Sequence, residues 1–470
     1  MHNRLLLCFF SICVIAIPLR SQLFVDINAP LTGVSVSGVD WGDYDNDGDS
    51  DIVIVGVDAT QPVSKIYRND SGTFVDIAAP LIGLRSSAAD WGDFDNDGDP
   101  DLILAGDDGT TLQTIIYRNN GGGSFTDIGA GLPGTEEGSA EWGDYDTDGD
   151  LDILLTGSAS SSSRISRVYR NDSGLFVDIG AGLIDVGYGS CASWGDYDND
   201  GDPDILLTGY ASTGITTKIY RNDSVSFADI GVALPAVGLG SIDWGDYDAD
   251  GDLDIVIAGV NSSSSSITHV YRNDPANNFT YVAGFTGLNH SSVAWGDYDN
   301  DNDLDLLVTG CPSYNVFVTR LYRNNGANTF APVSNGVTAQ VGFSSVAWAD
   351  YDNDSDLDIL LTGYNGVNRV SKIYRNGLIT VGIEESSSTA NISLFPDPAS
   401  DFIHVNLNAL PATGNVVVTD ATGRQVFLSD KSGDNLTIDV HEWSPGVYII
   451  MCMTSNGMVS RKFIIERTND

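Results

Sequence analysis

The chain has 470 residues, enough for two or more domains with ample core. Its formal net charge is −43, from 65 acidic residues against 22 Lys and Arg, a balance that argues against nucleic acid as a partner. Thirty-five of the 65 acidic residues recur at a fixed spacing, so the acidity is neither a general solubilising coat nor a disordered acidic tail.

The N-terminus reads Met-His-Asn-Arg and then runs apolar from Leu5 to Leu19. That stretch is short for a bilayer span and contains Pro18, which predicts a secretory signal peptide over residues 1–22. No later stretch has the composition of a transmembrane segment. Cys8 and Cys13 leave with the leader. Cys191, Cys311 and Cys452 remain, an odd number in scattered contexts, so no disulfide framework is expected despite export.

From Leu23 onward one pattern repeats. A nine-residue acidic loop follows a Trp at 41, 91, 142, 194, 244, 295 and 348. In the first loop Asp43, Asp45, Asp47, Asp49 and Asp51 fill positions 1, 3, 5, 7 and 9. The same positions hold Asp93, Asp95, Asp97, Asp99 and Asp101, then Asp144, Asp146, Asp148, Asp150 and Asp152, then Asp196, Asp198, Asp200, Asp202 and Asp204. They continue as Asp246, Asp248, Asp250, Asp252 and Asp254, as Asp297, Asp299, Asp301, Asp303 and Asp305, and as Asp350, Asp352, Asp354, Asp356 and Asp358. Each loop leads into a short apolar run ending in Gly, then a strand ending Tyr-Arg-Asn (Tyr67-Arg68-Asn69 in the first unit), then a strand led by Phe (Phe74). Helical periodicity is absent, and Gly, Ser and Asn mark every boundary. Four short strands per unit of 40 to 50 residues predict an all-β chain whose residues 23–376 form a seven-bladed β-propeller. No Phe strand follows Tyr374-Arg375-Asn376, whereas a spare one, Leu23–Ile27, precedes the first Trp. That spare strand is expected to complete the last blade and remove a bare sheet edge.

Within each loop, carboxylates at positions 1, 3, 5 and 9 and the carbonyl of position 7 offer a hard-oxygen cage suited to Ca²⁺, up to seven ions with a structural role. An EF-hand would need Glu at position 12, which is Ile54 in the first loop and Leu104 in the second, inside apolar strands. Without a cation, each close carboxylate pair costs roughly 1 to 4 kcal/mol. Position 6, where the chain turns sharply, is Gly in five loops, Asn302 in the sixth and Ser355 in the seventh.

The Asp-x-Asp-x-Asp-Gly-x-x-Asp loops between strands resemble the FG-GAP/VCBS repeats of integrin-α-type propellers. The resemblance covers residues 23–376. It implies acidic loops on one face, ligand binding on the opposite face, and mostly scaffold or adhesion roles, with some lyases and lectins. The Trp are expected to pack between blades, with a sugar-stacking platform as the alternative. The seven Arg are expected to pair with the Asp at loop position 7, with a phosphate or sulfate site as the alternative. The candidate ligand rim is Arg85, Glu137, Tyr188, Leu239, His290 and Phe343, which stand just before the Trp strands and differ from blade to blade.

Residues 377–390 hold Glu384-Glu385 and a Ser/Thr run, which reads as a linker. Over 391–470 the pattern changes to alternating strands and turns around Ile403, Val416, Gly446 and Phe463, a small β-sandwich. Its opening Pro396-Asp397-Pro398, the turn at Asp420–Gly423, the Gly446-Val447-Tyr448 strand and the closing Lys462-Phe463-Ile464 resemble the C-terminal sorting domain of the type IX secretion system. Asp397 stands where that family usually has Asn. The resemblance implies export through the periplasm to the outer surface or the medium, with that secretion machinery as a partner. Together these features predict a non-enzymatic, calcium-binding surface module for an extracellular glycan or protein. The alternatives are a polysaccharide lyase-like enzyme and an accessory module of a surface complex.

Overall fold

The computed structural model describes residues 24–377, apart from 161, 225, 275–277 and 334–335, and most of 393–465. The signal peptide expected at 1–22 and nearly all of the linker expected at 377–390 lie outside the described residues. The chain divides into two compact units, Met1–Leu378 and Ile379–Asp470.

The first unit opens with a short strand, β1 (Phe24–Asp26). The first repeat then forms an antiparallel sheet in sequence order from β2 (Ser35–Gly42), β3 (Asp51–Val57), β4 (Pro62–Asp70) and β5 (Thr73–Asp76). β3 reads as an unbroken apolar run because neighbouring sheets cover both of its faces: Ile52, Val53, Ile54 and Val55 are all buried. The same four-strand unit recurs along the chain. The inner strand of each repeat packs against the inner strand of the next, and that of the last repeat, Gly342–Ala349, packs against β2 to close a cycle of seven. The fifth and sixth repeats share one long strand, Asn278–Gly296, in place of the separate strands expected. Its middle carries Phe285, whose ring packs 4.5 Å from that of Tyr322 and keeps the connection extended.

Closure occurs as the strand count requires. β1 pairs with the last strand, Arg369–Asn376, in the register Phe24 to Asn376. Phe24 is fully buried, with its ring 6.1 Å from both Tyr298 and Trp348.

The Trp-Gly pairs explain how neighbouring blades meet. A Cβ on Gly42 would stand 2.7 Å from the Trp91 ring, and one on Gly143 would stand 2.6 Å from Trp194. The Gly is thus the seat for the next blade's indole. Trp91 also stacks on Tyr44 of the preceding loop at 6.2 Å, and Trp142 stacks on Phe94 at 5.9 Å. The Trp side chains therefore pack between blades, and the sugar-platform alternative does not hold for them.

The second unit is a sandwich. One sheet holds Ser393–Phe395, Phe402–Asn406 and Asn435–Asp439; the other holds Gln425–Asp430, Gly414–Asp420, Gly446–Thr454 and Gly457–Ile465. Ile403, Val405, Val416, Val418, Ile450 and Phe463 interdigitate between them. The Pro396–Pro398 segment and Gly423 lie outside the described residues.

Candidate functional site

β2 carries the acidic loop at its C-terminal end and the rim residue near its N-terminus. Eight residues at about 3.3 Å each put the two on opposite faces of the ring.

On the loop face the seven loops share one pattern of backbone hydrogen bonds. Both carboxylate oxygens of Asp43, at position 1, accept backbone N–H groups, from Asp47 at 3.0 Å and Gly48 at 2.9 Å. These bonds curl the loop inward, and Gly48 takes a φ of 92° to complete the turn. Asp51, at position 9, is fully buried; its Oδ2 accepts the Tyr44 N–H at 3.0 Å and its Oδ1 the Asn69 N–H at 2.7 Å. Burial pushes its carboxyl up to about 7, against the pull of those two bonds. Asp101, Asp152, Asp204, Asp254 and Asp305 behave alike, and Asp358 rises to about 8.

Position 3 is different. Oδ1 of Asp45 is buried within the loop without a hydrogen-bond partner, and the same orphan recurs at Asp146, Asp198, Asp248, Asp299 and Asp352. Burial, then the carboxylates of Asp47 and Asp43, push Asp45 upward. Oxygen atoms of Asp43, Asp45 and Asp51 lie within 4.8 Å of one another. A buried carboxylate oxygen without a partner, in a cradle made only of oxygen donors, fits a hard divalent cation and offers zinc no soft ligand.

Two asparagines knit the loops together, and neither was singled out from sequence. The Asn of each Tyr-Arg-Asn reaches the preceding loop: Asn69 Nδ2 donates to the Tyr351 carbonyl at 2.8 Å, and Asn119 Nδ2 to the Tyr44 carbonyl at 2.7 Å. Position 4 supplies the second link. Asn46 Nδ2 donates to the Gly98 carbonyl at 2.9 Å and to Asp99 Oδ1 at 3.0 Å, and Asn353 makes the equivalent bonds to Gly48 and Asp49. Thr147 and Ala249 occupy position 4 of the third and fifth loops, at left-handed φ values of 55° and 57°, and bring no amide. Asn tolerates that conformation better and would restore two bonds, so Ala249→Asn is expected to stabilise the protein by about 1 kcal/mol. A higher urea midpoint at unchanged slope checks this.

The arginines correct the sequence expectation. Arg68 pairs with Asp70 at 2.7 Å, not with Asp49 at position 7, because residues two apart share one face of β4. Asp49 is already held by Asn353 and by the Ser71 N–H at 2.9 Å.

On the opposite face each blade contributes one strained residue. Val36, Ser86, Glu137, Tyr188, Leu239, His290 and Phe343 all have φ between 32° and 55°. In most repeats a register shift beside this residue marks a β-bulge that re-aims the side chain. Five of the six rim residues expected from sequence occupy this position. Arg85 does not: it stands one residue early, in regular pairing with Asp107, whose carboxylate its guanidinium binds at 2.6 Å. Its true counterpart is Ser86, and the first blade supplies Val36. Most of the bulge residues surround a cavity of about 170 Å³ at the axial mouth. A larger cavity of about 370 Å³ opens beside it between the third and fourth blades, lined by Glu136, Glu137, Ser158, Arg164, Tyr188 and Tyr210 among others. The Tyr188 and Tyr210 rings meet edge to face at 5.9 Å, and Tyr188 is 49% exposed. Burial, then the charge of Glu136, pushes Glu137 up to about 7.

Four acids on the inner strands also went unnoticed in the sequence: Asp40, Asp90, Glu141 and Asp243. Asp40 accepts the Trp91 N–H at 3.2 Å, Asp90 the Trp142 N–H at 2.7 Å and Asp243 the Trp295 N–H at 3.0 Å, each bridging to the next blade. Burial pushes all four carboxyls upward. The signal lay in the residue before each Trp, which is acidic in these four repeats.

A closed cycle of four-stranded sheets, each with an acidic loop at the same end, is a β-propeller of the repeat type. A model of the FG-GAP-like repeat matches residues 43–104, 93–155, 144–207, 246–308 and 313–361, more than half of the chain, which belongs to that family. A secretion system C-terminal sorting domain matches residues 393–466, which indicates export to the cell surface or release. Among the described residues no helix is long and apolar enough to cross a membrane. No curated protein matches the sequence. Similar solved structures include PorZ, an essential surface component of the type IX secretion system of Porphyromonas gingivalis, at 13% identity and TM-score 0.40, covering 89% of this chain and 58% of that one. The extracellular domain of BT4673 from B. thetaiotaomicron has 12% identity and TM-score 0.42, covering 96% and 58%. An exo-β-1,3-galactanase of Phanerochaete chrysosporium has 9% identity and TM-score 0.32, covering 86% and 95%. The chain thus spans 58% of the length of each of the first two.

Proposed function

We propose that this is a calcium-stabilised, non-enzymatic propeller that binds an extracellular glycan at the face opposite its acidic loops. The cavity between the third and fourth blades carries this reading. Tyr188 and Tyr210 offer ring faces to the C–H face of a sugar, while Glu136, Glu137, Arg164 and Ser158 offer hydrogen bonds to its hydroxyls. The acidic loops, identical in their carboxylates, serve the scaffold, and the rim residues that differ from blade to blade serve recognition. The carboxylates at positions 1, 3, 5 and 9 of the loops would hold Ca²⁺, which would supply charge neutralisation there, with no part in chemistry at the rim.

A glycan array probed with and without calcium tests this. Binding is expected for the intact protein, and Tyr188→Ala is expected to weaken it about tenfold or more. Binding that Tyr188→Ala leaves untouched would place the ligand elsewhere. One observation favours an enzyme as the second reading: Glu137, raised to about 7, has the proton affinity of a general acid. Unsaturated or shortened products released from uronic-acid polymers, and lost in Glu137→Gln, would establish it.

A further inference from the structure

The loops share their carboxylates but not their arginines. In four repeats the guanidinium is held away from the loop by an Asp two residues downstream: Arg68 by Asp70 at 2.7 Å, Arg170 by Asp172 at 2.7 Å, Arg221 by Asp223 at 2.8 Å and Arg272 by Asp274 at 2.7 Å. The sixth and seventh repeats have Asn325 and Gly377 in place of that Asp. There the arginine turns over the loop. Arg323 Nε lies 3.0 Å from Asp299 and its Nη2 lies 2.8 Å from Asp301. Arg375 repeats this on Asp352 and Asp354, at 2.9 and 3.3 Å. These carboxylates are positions 3 and 5, two of the side chains on which a cation in the loop would depend.

A second departure falls on the same two loops. Gly at position 6 takes φ values of 92° to 96° in the five other loops, whereas Asn302 and Ser355 take 67° and 73°. The turn that presents the cage is therefore altered where the guanidinium sits. Arg118 of the second repeat, followed by Asn120, is exposed, and its loop keeps Gly98.

We infer that Arg323 and Arg375 are built-in counter-cations, so that the sixth and seventh loops are closed by guanidinium and the ring takes up five calcium ions instead of seven. A guanidinium keeps its charge at every accessible pH and grips two carboxylates at once, so it neutralises the loop without depending on the calcium supply. The two loops lie side by side and next to the strand-exchange seam, which is thereby held in calcium-poor surroundings. The inference rests on the calcium reading above.

Calcium titration of the chelator-stripped, full-length protein, by calorimetry and total-metal analysis, tests it. Five ions per chain are expected. Asn325→Asp supplies the missing holding group, draws Arg323 away and is expected to raise the count to six. Arg323→Gln together with Arg375→Gln is expected to raise it to seven. Seven ions in the unaltered protein, or five in the folded Asn325→Asp variant, would overturn the arginine assignment alone. No uptake at all would overturn the calcium reading and this inference with it.

Discussion

Stripping divalent cations is expected to lower the thermal midpoint of the propeller by a margin comparable with its whole stability. A site filled at ten times its dissociation constant adds about 1.4 kcal/mol, so five such sites add about 7 kcal/mol. Domains as a whole are stable by about 5–15 kcal/mol. The structural source of the effect is position 3. Buried, partnerless carboxylate oxygens at Asp45, Asp146, Asp198 and Asp248 carry a desolvation cost that a cation beside them would offset. Calorimetric scans in EDTA, in calcium and in magnesium check this. Calcium is expected to restore the midpoint, and magnesium only weakly, because the smaller ion demands a near-octahedral shell and sheds its waters reluctantly. An unchanged midpoint in EDTA would remove the structural role.

Asp204→Ala is expected to be severely destabilising whether or not calcium is present. Asp204 is fully buried, and its two oxygens accept the Tyr197 N–H at 3.1 Å and the Asn222 N–H at 2.7 Å. Removing both acceptors strands two buried donors, each costing about 1–3 kcal/mol, so the loss is about 2–6 kcal/mol. Asp198→Asn provides the contrast. It is expected to weaken the protein only in calcium, and in EDTA to be neutral or mildly stabilising, because it removes a carboxylate with no partner for its buried oxygen. Denaturant midpoints of both variants in the two buffers separate the expected parts, with position 9 holding the loop to the sheet and position 3 serving an ion. Equal losses for Asp198→Asn in both buffers would contradict that division.

Much of the architecture could be read from spacing alone. The Trp period, the apolar run ending in Gly and the displaced Phe strand at Phe24 each have one structural solution, because a strand covered on both faces must be continuously apolar and a sheet edge must be closed. Side-chain partnerships were less legible. The Arg of Tyr-Arg-Asn has two acidic neighbours at comparable reach, and sequence order does not reveal that Asn353 has already taken the position-7 carboxylate. Arg85 was misplaced by one residue because a bulge shifts the register there, and a bulge involves backbone torsions that Arg85-Ser86-Ser87 does not announce. The inner-strand acids were overlooked for a similar reason. Asp40 looks like a solvent-facing residue of an alternating strand, and only ring closure turns its carboxylate toward the next blade's backbone.

The exchanged strand makes the propeller a clasp. Asp26 and Lys372, 346 positions apart, form an ion pair across it, and β1 zips onto the final strand beside them. Contacts of such long range form late in folding, and until they do, Arg369–Asn376 offers a bare template to any other extended chain. The toroid can fasten only when Phe24–Asp26 and Arg369–Asn376 share one compartment, so a chain delivered one end first would stay unclasped until its other end arrived.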